Sequence, residues 1–314
     1  MGLARYIIKK VLIGIPIVFG ATIILFYVMF LLPGDPIQLL LAGERVTPEK
    51  LEELRVTWGL DKPVFVQYFY WLWRVVQGDL GVSITTKQAV SYLISTRIPY
   101  TLALMLLSTI LSYSIGVIAG IISALKKGTL LDNVVSITAI TLYSIPSFWL
   151  GLVLMLLIGY TLRLLPISGY EGPQSFVLPA LTLALPSSAS IMRLTRSEMI
   201  ETLNEDYVKT AWAKGLPQNR IILAHALRNA LLPVVVMFFL NLPWLIGGAV
   251  IVETLFALPG MGRLLYVSII NQDYAVVQGI VLIITVLTVI SNTLGDIAVA
   301  LLDPRIRVEV KGAQ

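Results

Sequence analysis

Six long apolar runs without a charged residue constrain this chain more than any other feature. They cover residues 11–32, 98–125, 133–162, 172–192, 229–252 and 274–295. A helix needs about 20 apolar residues to cross a hydrocarbon core of about 30 Å, and each run reaches that length. Since 57% of the 314 residues are hydrophobic and only 13% are charged, we predict an all-α membrane protein with six transmembrane helices.

The distribution of lysine and arginine predicts the orientation of these helices. If the N-terminus is cytoplasmic, 14 of the 23 basic residues fall inside, and seven of the other nine belong to the long segment 33–97. Short cytoplasmic loops are enriched in positive charge. Both termini are therefore predicted to be cytoplasmic, with the first run retained as a membrane anchor and not cleaved as a signal peptide. Because the basic residues follow the membrane faces, the net charge of +5 does not indicate nucleic-acid binding.

The runs divide the chain into four expected sections. Residues 1–32 form the tail and first transmembrane helix, 33–97 an extracytoplasmic subdomain, 98–303 a five-helix core containing the charged loop 193–228, and 304–314 a cytoplasmic tail. In the outer section, a helix is predicted to start at Thr47 and to stop near Gly59. The aromatic cluster around Tyr68 and Trp73 indicates a membrane-interface belt, with a substrate-binding role as the alternative.

Charged residues are scarce inside the predicted spans, where burying one costs roughly 2.5–3.5 kcal/mol. Asp296 lies near the inner end of the last span and fits either a structural role or a proton relay. Glu253 and Asp35 are expected at outer ends, where they can reach water. A carrier driven by an ion gradient usually needs ionisable groups at the midplane, so the sequence disfavours that class.

Prolines interrupt the spans at several positions, and each can permit a bend. The polar group Ser144, Pro146 and Ser147 is the best candidate for a kinked patch lining a translocation path, to which we add Asn241. An ordinary kink packed by neighbouring helices is the alternative. The third run is 30 residues long and is expected to contain part of a loop as well as its helix.

The polar segment 205–215 is predicted to be a rigid helix of about ten residues, roughly 15 Å long. Asn204 is expected to cap its start, Glu205 should pair with Lys209, and Gly215 should end it. Such a helix is suited to binding by a partner protein. The alternative is a helix that rests on the bilayer surface. A second amphipathic stretch over residues 216–229 should lead into the fifth span.

This region carries a specific family resemblance. The sequences EDYVKTA at 205–211, AKGL at 213–216 and HALRNALLP at 225–233 resemble the coupling loop of permease subunits of ATP-binding-cassette importers, in the dipeptide and oligopeptide branch. Further similar motifs are LPGDP at 32–36, GDLG at 78–81, SIPSFWLG at 144–151, LPALTLA at 178–184, PGMGR at 259–263 and LDPR at 302–305. The resemblance extends over nearly the whole chain.

The chain departs from the broader importer pattern E-A-A-x3-G-x9-I-x-L-P. Aligned on Gly215, only Ala211, Gly215 and Leu227 agree with it. The match is therefore to the peptide-type variant of the loop.

The resemblance implies a type I importer fold in the cell membrane, with peptides as the cargo and oligosaccharides or nickel complexes as alternatives. It implies a second homologous permease, two ATPase subunits and an extracytoplasmic solute-binding protein as partners, within membrane lipid. ATP and magnesium would belong to the ATPases, since this chain has no phosphate-binding G-x-x-x-x-G-K-[ST] loop. No cofactor, metal site or catalytic residue is expected in the chain, which has no cysteine and one histidine.

The resemblance also implies which residues contact the ATPase. Gly215 would allow a sharp turn, and Ala211 and Ala213 would let the helix seat closely against the partner. The expected coupling residues are Glu205, Asp206, Tyr207, Val208, Lys209, Thr210, Ala211, Trp212, Ala213, Lys214 and Gly215. An intramembrane hydrolase is disfavoured because His225, the only histidine, lies in the charged loop, whereas a signalling protein would leave the kinked polar spans without a role.

Overall fold

The computed structural model describes residues 3–31 and 61–302, which are helical apart from loops and one isolated bridge between Val82 and Ala89. The helix predicted to begin at Thr47, the residue Asp35 and the tail 304–314 lie outside the described residues. The described α-helices are α1 (Leu3–Leu31), α2 (Val64–Val76), α3 (Val90–Leu125), α4 (Leu130–Ser144), α5 (Ser147–Leu154), α6 (Val177–Leu203), α7 (Asp206–Ala213), α8 (Leu227–Leu255), α9 (Met261–Ile270) and α10 (Tyr274–Leu302).

Short segments of other helix types adjoin these helices. A π-helical segment, Met155–Thr161, continues α5, and a 3-10 turn, Pro173–Phe176, leads into α6. A helical turn, Gln218–Arg220, and a π-helical segment, Ile221–Ala226, lead into α8. Residues 218–229 therefore lead into the fifth predicted span as a helix, as expected, although the Leu223 side chain is exposed.

The prediction of an all-α membrane protein is confirmed in its coarser form. Within the described residues, four helical segments are long and apolar enough to cross a membrane, and α4 with α5 counts as a fifth if the bent pair is one span. The apolar stretch of α1, Leu12–Val28, is shorter than these. α3 and α6 extend beyond their apolar runs, since α3 begins at Val90 and α6 continues through Leu203 into the charged loop.

The third predicted span is two helices bent by 105° at Ile145 and Pro146. Proline disfavours helical geometry in the residue before it, and Ile145 is extended at φ −79° and ψ 126°. Other prolines do not have this effect, because Pro16 and Pro186 lie inside continuous helices. The break therefore combines a proline with a neighbouring residue that leaves the helical region.

The described chain divides into two compact units. The first comprises Met1–Pro99 and Gly260–Ile290, and one of its clusters packs Val90, Ile94 and Ile280 together. In the same unit Tyr68 is buried against α1, where its hydroxyl lies 3.0 Å from that of Thr22. The neighbouring aromatic residues Phe69, Tyr70 and Trp73 are exposed.

The second unit comprises Tyr100–Pro259 and Ser291–Gln314, and α6 is its central helix. α4, α5 and α8 all pack on α6, and 61% of its apolar stretch is buried, compared with 28% for α3. Two glycines of α3 allow a close approach to α6. A Cβ at Gly116 would lie 2.7 Å from the Ile191 side chain, and one at Gly120 would lie 2.6 Å from the Thr195 side chain. Small residues four apart are a common way for membrane helices to pack closely.

Candidate functional site

The helix α7 forms the centre of the predicted partner-binding segment, and local signals set its ends. Glu205 is the N-cap residue in extended geometry, and Asp206 stands in the first turn, where the helix dipole favours a negative charge. Gly215 has φ +71°, the left-handed conformation that ends helices. The helix has eight residues, about 12 Å of rise.

Two expectations about this segment are wrong. Asn204 does not cap α7, because it ends α6 and its Nδ2 donates to the Ile200 carbonyl at 2.7 Å. Lys209 pairs with Asp206 and not with Glu205, at 2.9 Å between Nζ and Oδ1. Lys209 pairs with the residue three positions before it because Asp206 is already in the helix, whereas Glu205 is extended.

The apolar side of α7 packs on the chain itself. Val208 and Ala211 are buried, and with Ile221 they form a small cluster that Leu203 and Leu216 flank. The expectation that Ala211 faces a partner is therefore wrong, since this side chain meets the start of the next helical segment. The cluster fixes α7 between the end of α6 and the approach to α8.

A polar contact holds α7 from a second side. Asn229 Nδ2 donates to the Tyr207 hydroxyl at 2.7 Å, and that hydroxyl lies 3.4 Å from the His225 carbonyl, to which it donates. Asn229 stands in the first turn of α8. α7 is thus attached to α8 by both an apolar cluster and a hydrogen bond, so a displacement of α7 reaches that helix directly.

The outward side of α7 is polar. At 100° per residue, Asp206, Thr210 and Ala213 lie opposite the buried pair, with Lys209 beside them, and all four are exposed. The hydrogen bond from Lys209 lowers the pKa of the Asp206 carboxyl. Trp212 lies at the edge of this face and is 47% exposed.

A buried ion pair lies upstream of α7, where α6 meets the turn between α3 and α4. Arg196 Nε and Nη2 each lie 2.8 Å from a carboxylate oxygen of Asp132. The carboxylate also accepts from the Ser123 hydroxyl and from the Gly128 backbone N–H. Asp132 is 3% exposed, so its charge is compensated by a nearly complete set of donors.

Sequence reasoning missed the pairing of Asp132, although a local signal for the residue exists. Thr129 is the N-cap of α4 and its side chain accepts from the Asp132 backbone N–H at 3.5 Å. The spacing of Thr129 and Asp132 is that of a capping box. That pattern marks the helix start, but it does not reveal Arg196, which is 64 residues away.

The predicted translocation residues fall into two places. Ser144, Pro146 and Ser147 lie together at the break between α4 and α5, where Ser144 Oγ donates to the Ile140 carbonyl at 2.9 Å. Asn241 lies on α8, and its Nδ2 lies 3.5 Å from the hydroxyl of Tyr113 on α3. The structure thus groups the three residues at the break and gives Asn241 a separate partner.

Two further buried carboxylates, besides Asp132, lie near the ends of helices in the described residues. Glu253 does not reach water as expected, because it is 1% exposed and accepts a hydrogen bond of 2.6 Å from Thr101. In the other unit, Asp273 accepts from the Ser83 hydroxyl at 2.5 Å and from the backbone N–H groups of Ile84 and Thr85. Asp273 thereby fixes the loop that follows α2.

No group of three or more histidine, cysteine, aspartate or glutamate side chains in the part of the chain that the structure describes could hold a metal ion.

Comparison with known proteins identifies similar sequences along almost the whole chain. Residues 116–308 match the family described as binding-protein-dependent transport system inner membrane component, and residues 3–105 match its N-terminal counterpart. The oligopeptide transport system permease protein AppB of Bacillus subtilis is 41% identical over 97% of this chain and 99% of that protein. The dipeptide transport system permease protein DppB of Escherichia coli K12 is 36% identical over 96% of this chain and 98% of that protein.

Solved structures agree with this assignment at the level of the fold. A chain of the MetNI methionine ABC transporter, in an inward-facing conformation, superposes with a TM-score of 0.58. The match covers 68% of this chain and 97% of that chain at 18% sequence identity.

Proposed function

Because this chain belongs to the family of binding-protein-dependent transport system inner membrane components, we propose that it is the permease subunit of an ATP-binding-cassette importer for di- and oligopeptides. The peptide cargo is inferred from relatives such as the oligopeptide permease of Bacillus subtilis. In this proposal the chain forms half of the translocation path, pairs with a second homologous permease, and receives peptides from an extracytoplasmic solute-binding protein. Two partner ATPases bind ATP and magnesium, and this chain catalyses no reaction.

The proposed topology has six transmembrane helices and two cytoplasmic termini, in the cell membrane. Contacts inside the second unit support alternating helix directions. Arg196, near the end of α6, meets Asp132 beside the turn that follows α3. The Gly169 backbone N–H, in the loop before α6, donates to the Phe256 carbonyl just after α8. The two contacts lie at opposite ends of α6, and each supports a neighbouring helix, α3 or α8, that runs antiparallel to α6.

The mechanism depends on one observation, the attachment of α7 to its own chain. Val208 and Ala211 fix α7 to its own chain, while Asp206, Thr210 and Ala213 remain outward. A helix resting on a bilayer would turn its apolar residues outward, so the polar outward face favours a protein partner. Closure of the ATPases would move α7 as a rigid body, and α6 and α8 would follow it from inward-open to outward-open.

Single-cysteine cross-linking tests this proposal, and the chain has no native cysteine to interfere. Thr210→Cys, in the complex assembled with its ATPases, is expected to cross-link to an ATPase subunit with a yield that changes when ATP binds. Thr86→Cys, in an exposed loop of the first unit, is the matched control and should give no such product. Proteoliposomes should accumulate radiolabelled dialanine only with ATP and binding protein. Uptake without ATP, or equal cross-linking of both variants, contradicts the proposal.

A further inference from the structure

Helix α2, in the first unit, carries a continuous line of exposed apolar side chains. At 100° per residue, four of them fall within an arc of about 80°. They are Phe65, Phe69, Trp73 and Val76, each more than half exposed. We call these four residues the apolar stripe. A contiguous exposed apolar surface marks a place where a protein meets a membrane or another apolar surface, and the coupling mechanism described above does not use it.

A second surface of α2 packs on α1. Tyr68 is buried, and its ring centroid lies 5.6 Å from that of Phe26. Trp71 also contacts Phe26, at 6.1 Å between ring centroids. The Tyr68 hydroxyl lies 3.0 Å from that of Thr22, which is about 9 Å before the end of the apolar stretch Leu12–Val28 at the helical rise per residue. α2 is therefore held beside the C-terminal part of an apolar helix.

The third surface of α2 is polar, and its side chains are held by neighbours. Arg74 Nε donates to Asp79 Oδ2 at 2.8 Å, and Gln67 Nε2 donates to the Lys62 carbonyl at 2.8 Å. Lys62 Nζ donates to the Tyr70 hydroxyl at 3.2 Å and lies 4.3 Å from the centre of that ring. On the helix circumference, Gln67, Tyr70 and Arg74 lie opposite the midpoint between the other two surfaces. α2 is thus polar on one side and apolar on the other.

The length of α2 and this division of its surface indicate its surroundings. The helix has 13 residues, about 20 Å of rise, which is too short to cross a hydrocarbon core of about 30 Å. A helix that is apolar along one side and polar along the other lies in the plane of the membrane interface, with tryptophan and phenylalanine on its apolar side. α1 also exposes Ile24 and Val28 on the side away from Tyr68, so both helices require apolar surroundings.

We propose that α2 lies in the plane of the membrane interface at the C-terminal end of α1, with Phe65, Phe69 and Trp73 inserted among lipid acyl chains. The aromatic cluster of the sequence thereby divides into three parts. The stripe binds lipid, Tyr68 joins α2 to α1, and Tyr70 belongs to the polar surface that faces water and the lipid headgroups. The inference goes beyond the proposed function, because it requires a membrane-embedded chain and not a peptide cargo.

Spin-label accessibility tests this placement in the complete transporter, assembled with cysteine-free partner subunits in liposomes of phosphatidylcholine and phosphatidylglycerol. The chain itself has no native cysteine. Nitroxides at Phe69→Cys and Trp73→Cys should collide more often with O2, which concentrates among acyl chains, than with a water-soluble nickel chelate. The order should reverse at Gln67→Cys and Arg74→Cys, on the polar surface of the same helix. Trp212→Cys, at an exposed tryptophan of the polar helix α7, is the control and should not favour O2.

Two other outcomes of this measurement overturn the proposal. Few collisions with either reagent at Phe69→Cys and Trp73→Cys would show that a protein subunit covers the stripe. An excess of nickel collisions at these two positions would show that the stripe lies in water.

A charge placed in the stripe gives a second measurement. Phe69→Asp should shift the label at Trp73→Cys towards the nickel chelate, because a carboxylate is unfavourable among acyl chains. Gln67→Asp, on the polar surface, should leave the O2 preference of that label unchanged. The same response to both substitutions refutes insertion of the stripe.

The alternative of a peptide-binding stripe predicts a different result in transport. Phe69→Leu keeps an apolar side chain for the bilayer, so the KM for dialanine uptake into proteoliposomes should stay at the wild-type value. A raised KM with an unchanged kcat would assign the stripe to peptide binding and overturn the lipid assignment.

Discussion

The Arg196 guanidinium binds the Asp132 carboxylate at both oxygens, with Nε and Nη2 each 2.8 Å from their acceptors. This pair joins the turn between α3 and α4 to the helix that leads into α7. Since α6 also carries the packing of α4, α5 and α8, the pair connects the predicted coupling segment to the bent span. Its two residues are 64 positions apart in the sequence.

Asp132→Asn should weaken this connection. The amide nitrogen cannot accept the hydrogen bonds made to the carboxylate oxygen that it replaces, and the Arg196 charge is left uncompensated, so the melting temperature of the complex should fall by roughly 2–6 °C. Peptide uptake per ATP hydrolysed should fall with it. Asp79→Asn is the matched control, because Asp79 pairs with Arg74 at an exposed position where ion pairs contribute little. Equal effects of the two substitutions would refute a special role for Asp132.

Gly120→Ala should disturb the packing of α3 on α6. The added Cβ would lie 2.6 Å from the Thr195 side chain and 2.7 Å from the Met192 carbonyl, so the helices must separate at a cost of about 1–3 kcal/mol. Gly247→Ala is the control, since its Cβ would meet nothing within 4 Å. Thermal unfolding of the two variants in detergent measures the difference. A Gly120→Ala protein as stable as the wild type would contradict close helix packing here.

The hydrogen bond between Asn229 and Tyr207 should contribute to coupling. Tyr207→Phe and Asn229→Ala each remove it, and each is expected to lower peptide uptake per ATP hydrolysed while the ATPase rate is largely retained, because α7 then moves more loosely on α8. The hydrogen bond itself is worth about 0.5–1.5 kcal/mol. The double variant should be no worse than the more severe single one. Strictly additive effects would show that the two residues act separately.

Gly215→Val should uncouple transport from hydrolysis. Valine at φ +71° is strained by about 1–2 kcal/mol, although the site has space for a Cβ. The turn after α7 is therefore expected to change its conformation. Gly215→Asn should retain most uptake, because asparagine tolerates the left-handed region. Comparing uptake with ATP hydrolysis measures the effect, and wild-type coupling in the valine variant would remove the role assigned to Gly215.

The pKa of the Asp79 carboxyl predicts a small pH dependence of stability. The Gly81 backbone N–H and then Arg74 hold that pKa below its ordinary value of 3.8. The group therefore stabilises the fold fully above that ordinary value, and the contribution disappears as the pH falls through the lowered pKa. Because Asp79 is half exposed, the change in melting temperature should be only about 1–2 °C. Asp79→Asn should lose this part of the acid dependence, and a profile identical to that of the wild type would contradict it.

Local sequence signals predicted where α7 ends but not which residue caps its start. The glycine at 215 was expected to end the helix and does so with φ +71°, because only neighbouring backbone geometry decides that conformation. The predicted N-cap of α7, Asn204, is wrong, because this residue is the C-cap of α6. The helix α6 continues beyond the end of the apolar run 172–192. Hydropathy identifies only the apolar part of a helix, so it does not show that the helix continues into a polar segment.

The sequence by itself determined the helical class, the apolar spans and the presence of a short polar helix before Gly215. Hydropathy and left-handed glycine depend on residues close together in the chain, so one sequence is enough to predict them, whereas Pro146 was only one of several prolines that could permit a bend. Only the tertiary structure decided that Glu253 is buried with Thr101, that Arg196 binds Asp132, and that Ala211 faces its own chain. Each of these depends on which helix faces carry side chains into contact, and that choice is made by packing between segments far apart in sequence.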